Sequence, residues 1–180
     1  MSALVEHFRL MARNNHWSNY RLHRACTELP EAEYFRDRRA FFRSIHRTLN
    51  HILLIDGHYL TRLAGDRVDR AHLNQELYPD LKSLRRAQER SDRQLIAVCD
   101  GLSQQRLDAA ARWTDTEGQA YSDPVHIVLA HLFMHQIHHR GQVHNMLSAA
   151  GASPPQLDEF FLSQDASLRQ AEVEQLGLDL

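Results

Sequence analysis

The chain has 180 residues, 43% of them hydrophobic and 24% charged, with seven Gly, five Pro and a formal net charge of −2. This is a globular composition, long enough for one domain with a substantial core. The twenty Arg and one Lys are spread along the chain, so no basic block supports nucleic-acid binding. No apolar run of ~18 residues could span a bilayer, and the charged start MSALVEHFRLMARNNHW is unlike a signal peptide. Cys26 and Cys99 form neither a CxxC nor a zinc spacing, so a disulfide framework is not expected and a reducing cytoplasm fits.

From Ser2 to Leu29 the apolar residues Leu4, Phe8, Met11, Leu22, Ala25 and Leu29 recur at helical spacing, and Pro30 ends the helix. A polar stretch, Glu31 to Arg39, leads to a second predicted helix from about Ala40 to Leu63, closed by Gly65 and Asp66. Residues 66–80 read as a crossing loop ending at Pro79, and a third helix runs from about Leu81 to Leu102. Around Glu117-Gly118 the pattern predicts a short hairpin or irregular turn. Ser122 or Asp123 then caps a fourth helix, with Pro124 at its first position and Gly151 as its stop. The tail from Leu157 to Leu176 has room for one or two short helices. Four helices of about 22 to 28 residues with little strand signal predict an all-α fold, a four-helix bundle in one domain over 1–180. The 31–39 and 66–80 connections are long enough for crossovers. Asn15, Ser18, Gln88 and Ser91 interrupt the apolar seams and place polar groups inside the bundle, either as a hydrogen-bonded core layer or as a lined pocket.

The fourth helix holds six of the thirteen histidines within His126–His144, HIVLAHLFMHQIHHRGQVH. On a wheel of about 100° per residue, Val125, Val128, Leu129, Leu132, Val143, Met146 and Leu147 define an apolar centre. His139 lies roughly 40° from that centre and His135 roughly 80°, while His126 and His144 lie at about 100° on the opposite flank. The pair His135 and His139 is spaced i, i+4, so the two imidazoles stack one turn apart and can reach one ion. Neutral imidazoles suit zinc, nickel or iron, and three protein ligands leave positions free for water or substrate. A metalloprotease helix would carry Glu directly after its first ligand, and this chain has Gln136 there. A di-iron carboxylate bundle would need inward glutamates that this helix lacks. The third ligand is expected from a neighbouring helix. His46, His51 and His58 on the second helix, Asp56 beside them, and His7, His16 and His23 on the first helix all remain open on geometry alone.

The segments FFRSIHRTLNHILLIDGHYL and HLFMHQIHHRGQVHNML, with NNHWSNYRL near the start, resemble the DinB (DNA-damage-inducible) family, which belongs with the DinB/YfiT-like metalloenzymes. The resemblance reaches to about Phe161. It implies a four-helix bundle with crossover connections, a homodimer, and a divalent metal held by three histidines. Carried over onto this sequence, the ligands it implies are His51 of LNH with His135 and His139 of the HxxxH pair. His46, Asp56, His138, Arg140 and Gln142 match recurring family positions and are assigned to the pocket or to groups behind the ligands, with no catalytic residue named.

The resemblance further implies a metal-dependent enzyme, either an S-transferase using a low-molecular-weight thiol or a hydrolase, in which the metal activates thiol or water. The alternatives are a non-enzymatic metal-binding module of the stress response, with a closed site and a fourth protein ligand, and a dimerisation bundle whose buried histidines only hydrogen-bond. Neither nucleic acid nor membrane is expected as a partner, and a small-molecule substrate is.

Overall fold

Capping side chains and left-handed glycines decide where the helices start and stop. The computed structural model describes residues 2–180 apart from 72 and 74. Ser2 accepts a hydrogen bond from the Leu4 amide and opens α1 (Ala3–Thr27), and a five-residue α2 (Glu31–Phe35) follows Pro30. Ser44 accepts from the Arg47 amide at the start of α3 (Ile45–Ala64), and Asp80 accepts from Ser83 at the start of α4 (Leu81–Asp100). Between them lies β1 (Arg67–Val68). Then come α5 (Gln104–Asp108), β2 (Ala110–Asp115), β3 (Ala120–Pro124), α6 (Val125–Ala149) and, after a 3-10 turn, α7 (Ala166–Leu176).

The fold is mostly α, and the expected hairpin is present as β2 and β3, turning at Gly118 with φ 83°. Three details differ from the sequence reading. The helix expected from Ala40 begins at Ile45, because Arg43 adopts φ 68° and Ser44 is extended, so residues 40–43 form a turn and Phe41 is left 82% exposed. Ser122 and Asp123 belong to β3 rather than capping α6, and Pro124 takes the cap position without a side-chain bond. The polar connections also hold more structure than expected: α2 lies in 31–39, β1 in 66–80, and α5 follows α4.

Two apolar half-cores stack along the bundle, and their membership gives the helix directions. One contains Val5, Phe8 and Ala12 of α1, Tyr59 and Leu63 of α3, Leu95 and Cys99 of α4, and Leu129 and Leu132 of α6. The other contains Leu22 and Cys26, Ile45 and Leu49, Leu84 and Ala87, and Val143 and Leu147 of the same four helices. Thus α1 and α6 run one way and α3 and α4 the other. Helix α1 packs against α4 and α6, and α3 packs against α4 and α6, so the α1–α3 and α4–α6 connections cross the diagonals. Because α3 and α4 are parallel, residues 65–80 carry the chain back along the bundle. That return run passes over α3, where it matters for the site.

The sheet closes one end. Strand β1 pairs in parallel with β2, and β2 pairs antiparallel with β3, which sets Trp113 opposite Tyr121 with their rings stacked at 5.8 Å. Val68, Ala111 and Trp113 are buried against Tyr59 and Leu63. Gly65 ends α3 at φ 83°, and a Cβ there would stand 3.3 Å from the Arg112 carbonyl oxygen. Gly65→Ala is therefore expected to cost about 1–2 kcal/mol, read as a lower urea midpoint; an unchanged midpoint would mean the turn relaxes freely. At the other side of the molecule Trp17 packs on Phe160, and Arg21 stands 4.0 Å over the Trp17 ring. Arg21 also donates to Glu172 (2.6 Å) and to the carbonyls of Gln156 (2.8 Å) and Leu168 (2.9 Å), which fastens the C-terminal segment to α1. Among the described residues no helix is long and apolar enough to cross a membrane.

Candidate metal centre

Helices α3 and α6 run antiparallel in contact, which brings His51 of α3 up to His135 and His139 of α6. One ligand atom from each of the three lies within 4.8 Å of the others. His51 Nε2 and His135 Nε2 are 3.1 Å apart, and the ring centres are separated by 4.3 to 5.1 Å. Two of the rings have their far nitrogen fixed. His51 Nδ1–H donates to the Leu73 carbonyl (3.1 Å), supplied by the returning 65–80 segment. His139 Nδ1–H donates to Gln142 Oε1 (2.8 Å), one turn further along α6. Both bonds leave Nε2 as the free lone pair, the usual arrangement behind a metal-bound histidine.

The donor set fits a divalent transition ion. Bonds of ~2.0–2.1 Å at tetrahedral angles put ligand nitrogens roughly 3.3 Å apart, close to the 3.1 Å between His51 and His135. Burial lowers the pKa of all three imidazoles; for His135, with His139 and His51 as neighbours adding to burial, it falls to about 3. At neutral pH the three rings are thus neutral and able to coordinate. His135 Nδ1 has no hydrogen-bond partner among the described residues, so without an ion His135 can carry its proton on Nε2 and donate to the His51 lone pair at 3.1 Å, and with an ion it turns the same nitrogen to the metal.

A cavity of about 310 Å³ opens beside His51, lined also by Phe41, Phe42, Arg47 and Glu76. The Phe42 ring stacks on His51 at 4.0 Å and meets His139 edge-on at 5.4 Å, so it shields two of the three histidines. Glu76 is held on the cavity wall by Arg47 Nε (2.7 Å) and lies 3.4 Å from His46 Nε2. A larger cavity, about 640 Å³ between the end of α1, α2 and the start of α4, contains none of the three histidines.

The sequence profile of the DinB family matches residues 1–173. This chain belongs to the DinB family. A crystal structure of a DinB-like protein from Bacillus subtilis, YjoA, superposes on the fold with a TM-score of 0.55 at 14% identity, covering 78% of this chain and 92% of that one. No curated protein matches.

Around this DinB-family centre the remaining candidates take different places. Gln142 touches His139, and its Nε2 donates to His138 Nε2 (3.2 Å), so His138 supports the site from the exposed side of α6. His46 is buried against Tyr34 and Asn50, twelve residues from the one and one turn from the other, and is not among the grouped ligands. Asp56 and Arg140 bond to other partners altogether. They belong to a buried polar layer between the two half-cores. Asp56 accepts from Gln88 (2.8 Å) and Gln136, while Asp92 accepts from Gln88 (3.0 Å), Asn15 (3.1 Å), Asn19 (2.9 Å) and His16. Arg140 donates to the side-chain oxygens of Asn15 and Asn19. Burial and the nearby Asp92 raise the Asp56 pKa well above the carboxylate range, and burial brings Arg140 down to about 10, still protonated at neutral pH. Asn15 and Gln88 were legible as interior positions. Gln136 and Arg140 lie on the inward arc of the α6 wheel as well, and Asn15/Asn19, Gln88/Asp92 and Gln136/Arg140 all share an i, i+4 spacing that marks them as one layer.

Buried histidines give the metal-free DinB protein an acid limit. Burial lowers His23 and His58 to about 4, and His135 to about 3. Their folded pKa values lie below the unfolded value of ~6.5, so the stability they contribute is present above pH ~6.5 and lost as pH falls through the folded values. For the fully buried His23 the difference amounts to about 3 kcal/mol. Chelated protein should therefore lose thermal midpoint steadily from pH 6.5 to 4; a flat profile across that window would contradict the burial of these rings.

Proposed function

We propose that this DinB-family protein is a metal-dependent enzyme, S-transferase-like with a low-molecular-weight thiol or hydrolase-like with water, centred on His51, His135 and His139. The observation that carries the reading is the pair of fixed tautomers, His51 on the Leu73 carbonyl and His139 on Gln142, which turn two lone pairs toward a third histidine. A zinc, nickel or iron ion bound there supplies Lewis acidity that favours the deprotonated thiol or water near neutral pH. The protein's own part is to hold the His51 and His139 rings in one tautomer, to keep Phe42 over the face of His51 and against His139, and to shape the adjoining cavity. Glu76, the carboxylate on that cavity's lining, is anchored by Arg47 and is the group placed to accept a proton from an entering nucleophile.

The alternative, a non-enzymatic metal module of the stress response, requires a closed site. Among the described residues no fourth His, Cys, Asp or Glu joins the three, and the cavity reaches His51, which supports the enzymatic reading. Elemental analysis of native protein followed by turnover assays with a panel of thiols, electrophiles and esters tests both. Metal without any turnover would leave the module; no metal, and no thermal shift with zinc or nickel, would overturn both.

A homodimer is part of the proposal. Its support is the family resemblance together with Ile127 (50% exposed) and Met134 (71%) on the outer face of α6 and Leu4 on α1. Light scattering should give twice the chain mass, with Met134→Asp shifting it toward monomer. A cytoplasmic location is likewise proposed, on the two unpaired thiols: Cys26 and Cys99 are buried, and burial pushes both up to about 12.

A further inference from the structure

A second cavity, of about 430 Å³, lies between α1, α6 and the segment 156–161, and none of the three histidines lines it. That is the size of a small-molecule site. Its polar wall is built from buried donors that the protein leaves unpaired. Ser18 Oγ and Asn14 Nδ2 are those buried donors; beside them Arg140, 3% exposed, donates to Asn15 and Asn19 through Nη1 alone, which leaves its Nε and Nη2 free of hydrogen bonds among the described residues. Ser18 (1% exposed) and Asn14 (5%) line the same cavity. Each buried polar group left unpaired costs about 1–3 kcal/mol, so the two buried donors Ser18 Oγ and Asn14 Nδ2, beside a guanidinium with two nitrogens free of hydrogen bonds, call for an acceptor from outside the chain.

The opposite wall is apolar, made of Ile137, Leu157 and Phe161. Gly141 completes it. A glycine inside a helix costs about 1 kcal/mol relative to alanine, and a Cβ at Gly141 would meet nothing within 4 Å, so packing within the chain does not require it. Its effect is to leave the cavity open. Asp158, the one carboxylate on the lining, is exposed, whereas the guanidinium is buried.

We propose that this cavity binds a small organic carboxylate with an apolar body, the guanidinium of Arg140 taking the carboxylate while Ile137, Leu157 and Phe161 cover the body. A guanidinium offers two parallel N–H donors to a carboxylate, and Ser18 and Asn14 supply further donors beside it. This inference is independent of the metal reading, since no residue of the histidine centre takes part.

The test is calorimetric titration of the chelated, full-length protein with phenylacetate, with phenylacetamide and inorganic phosphate as controls. Chelation removes carboxylate binding at a metal from the readout. Phenylacetate is expected to bind at one site, at least tenfold tighter than either control. Because Arg140 also holds the buried layer, the variants are Gly141→Leu, which fills the cavity, and Ser18→Ala, which removes one donor. Gly141→Leu should weaken phenylacetate at least tenfold with an equal or higher thermal midpoint, and Ser18→Ala should weaken it severalfold. No binding of phenylacetate, equal binding of the amide, or affinity unchanged in Gly141→Leu would each overturn the proposal. Phosphate binding as tightly as phenylacetate would overturn it in favour of a plain anion site.

Discussion

Alanine at His51, His135 or His139 is expected to lower the affinity for zinc or nickel at least about 100-fold, roughly 3 kcal/mol. Each change removes one of three neutral donors, and no other His, Cys, Asp or Glu among the described residues is grouped with them to replace it. The effect should be graded outward. Gln142→Ala frees the far nitrogen of His139 and should cost about 10–100-fold. His138→Ala removes only a partner of Gln142 and should cost less. His131, exposed and stacked on Tyr59, should cost nothing. Affinity should also fall with acid, since ligation requires neutral imidazoles. The lowered pKa values of the three rings place that loss below the ordinary imidazole pKa of ~6.5. Competition titrations with a chromophoric chelator at several pH values measure all of this. If His51→Ala binds metal as wild type does, the centre is not where these histidines meet.

The second large effect is on stability. Arg140→Met is expected to destabilise the fold by about 3–5 kcal/mol, the usual cost of removing one partner from a buried charged network. The change strands the oxygens of Asn15 and Asn19 and removes the guanidinium charge that offsets Asp92 in the layer. Adding Asp92→Asn should recover part of the loss, because it removes a charge that Arg140 had offset, so the two substitutions should be less than additive. Urea unfolding of the single and double variants reads both quantities. A loss under about 1 kcal/mol for Arg140→Met would show that water replaces the guanidinium, and that the layer is open rather than dry.

Much of this was legible in the sequence, for identifiable reasons. The four long helices follow from apolar spacing and from Pro30, Gly65 and Gly151, and the hairpin follows from the residues around Glu117-Gly118. The pair His135 and His139 follows from helical phase. His51 did not follow from phase, because α3 buries residues on several sides, Ile52, Leu53, Ile55 and Asp56 in near succession; the family resemblance supplied it. Phase also places Gln136 and Arg140 of α6 inside, Gln136 at least as near the apolar centre as His139 and Arg140 at least as near as His135; what phase does not show is their partners, Asp56 and Asn15, on other helices. The turn at 40–43 was hidden for another reason. Its left-handed Arg43 goes with an ion pair to Asp37 and with Phe42 lying on His51, and both contacts exist only once the chain has folded.

The buried layer has a consequence for the metal centre that none of its hydrogen bonds expresses singly. His135 and His139 each immediately precede a member of the layer, Gln136 and Arg140, and His51 shares α3 with Asp56. A slide of α6 by one turn, about 5.4 Å, would carry one of Gln136 and Arg140 out of the layer and put the other in its neighbour's place, so that at least one of the bonds to Asp56 and Asn15 is lost and the other partner is mismatched. The axial alignment of the two ligand helices is thus locked by the interior of the bundle before any ion arrives. A preset alignment of this kind spares an ion the cost of ordering the two helices, and on the proposed reading leaves the His135 ring as the part of the site still to be ordered.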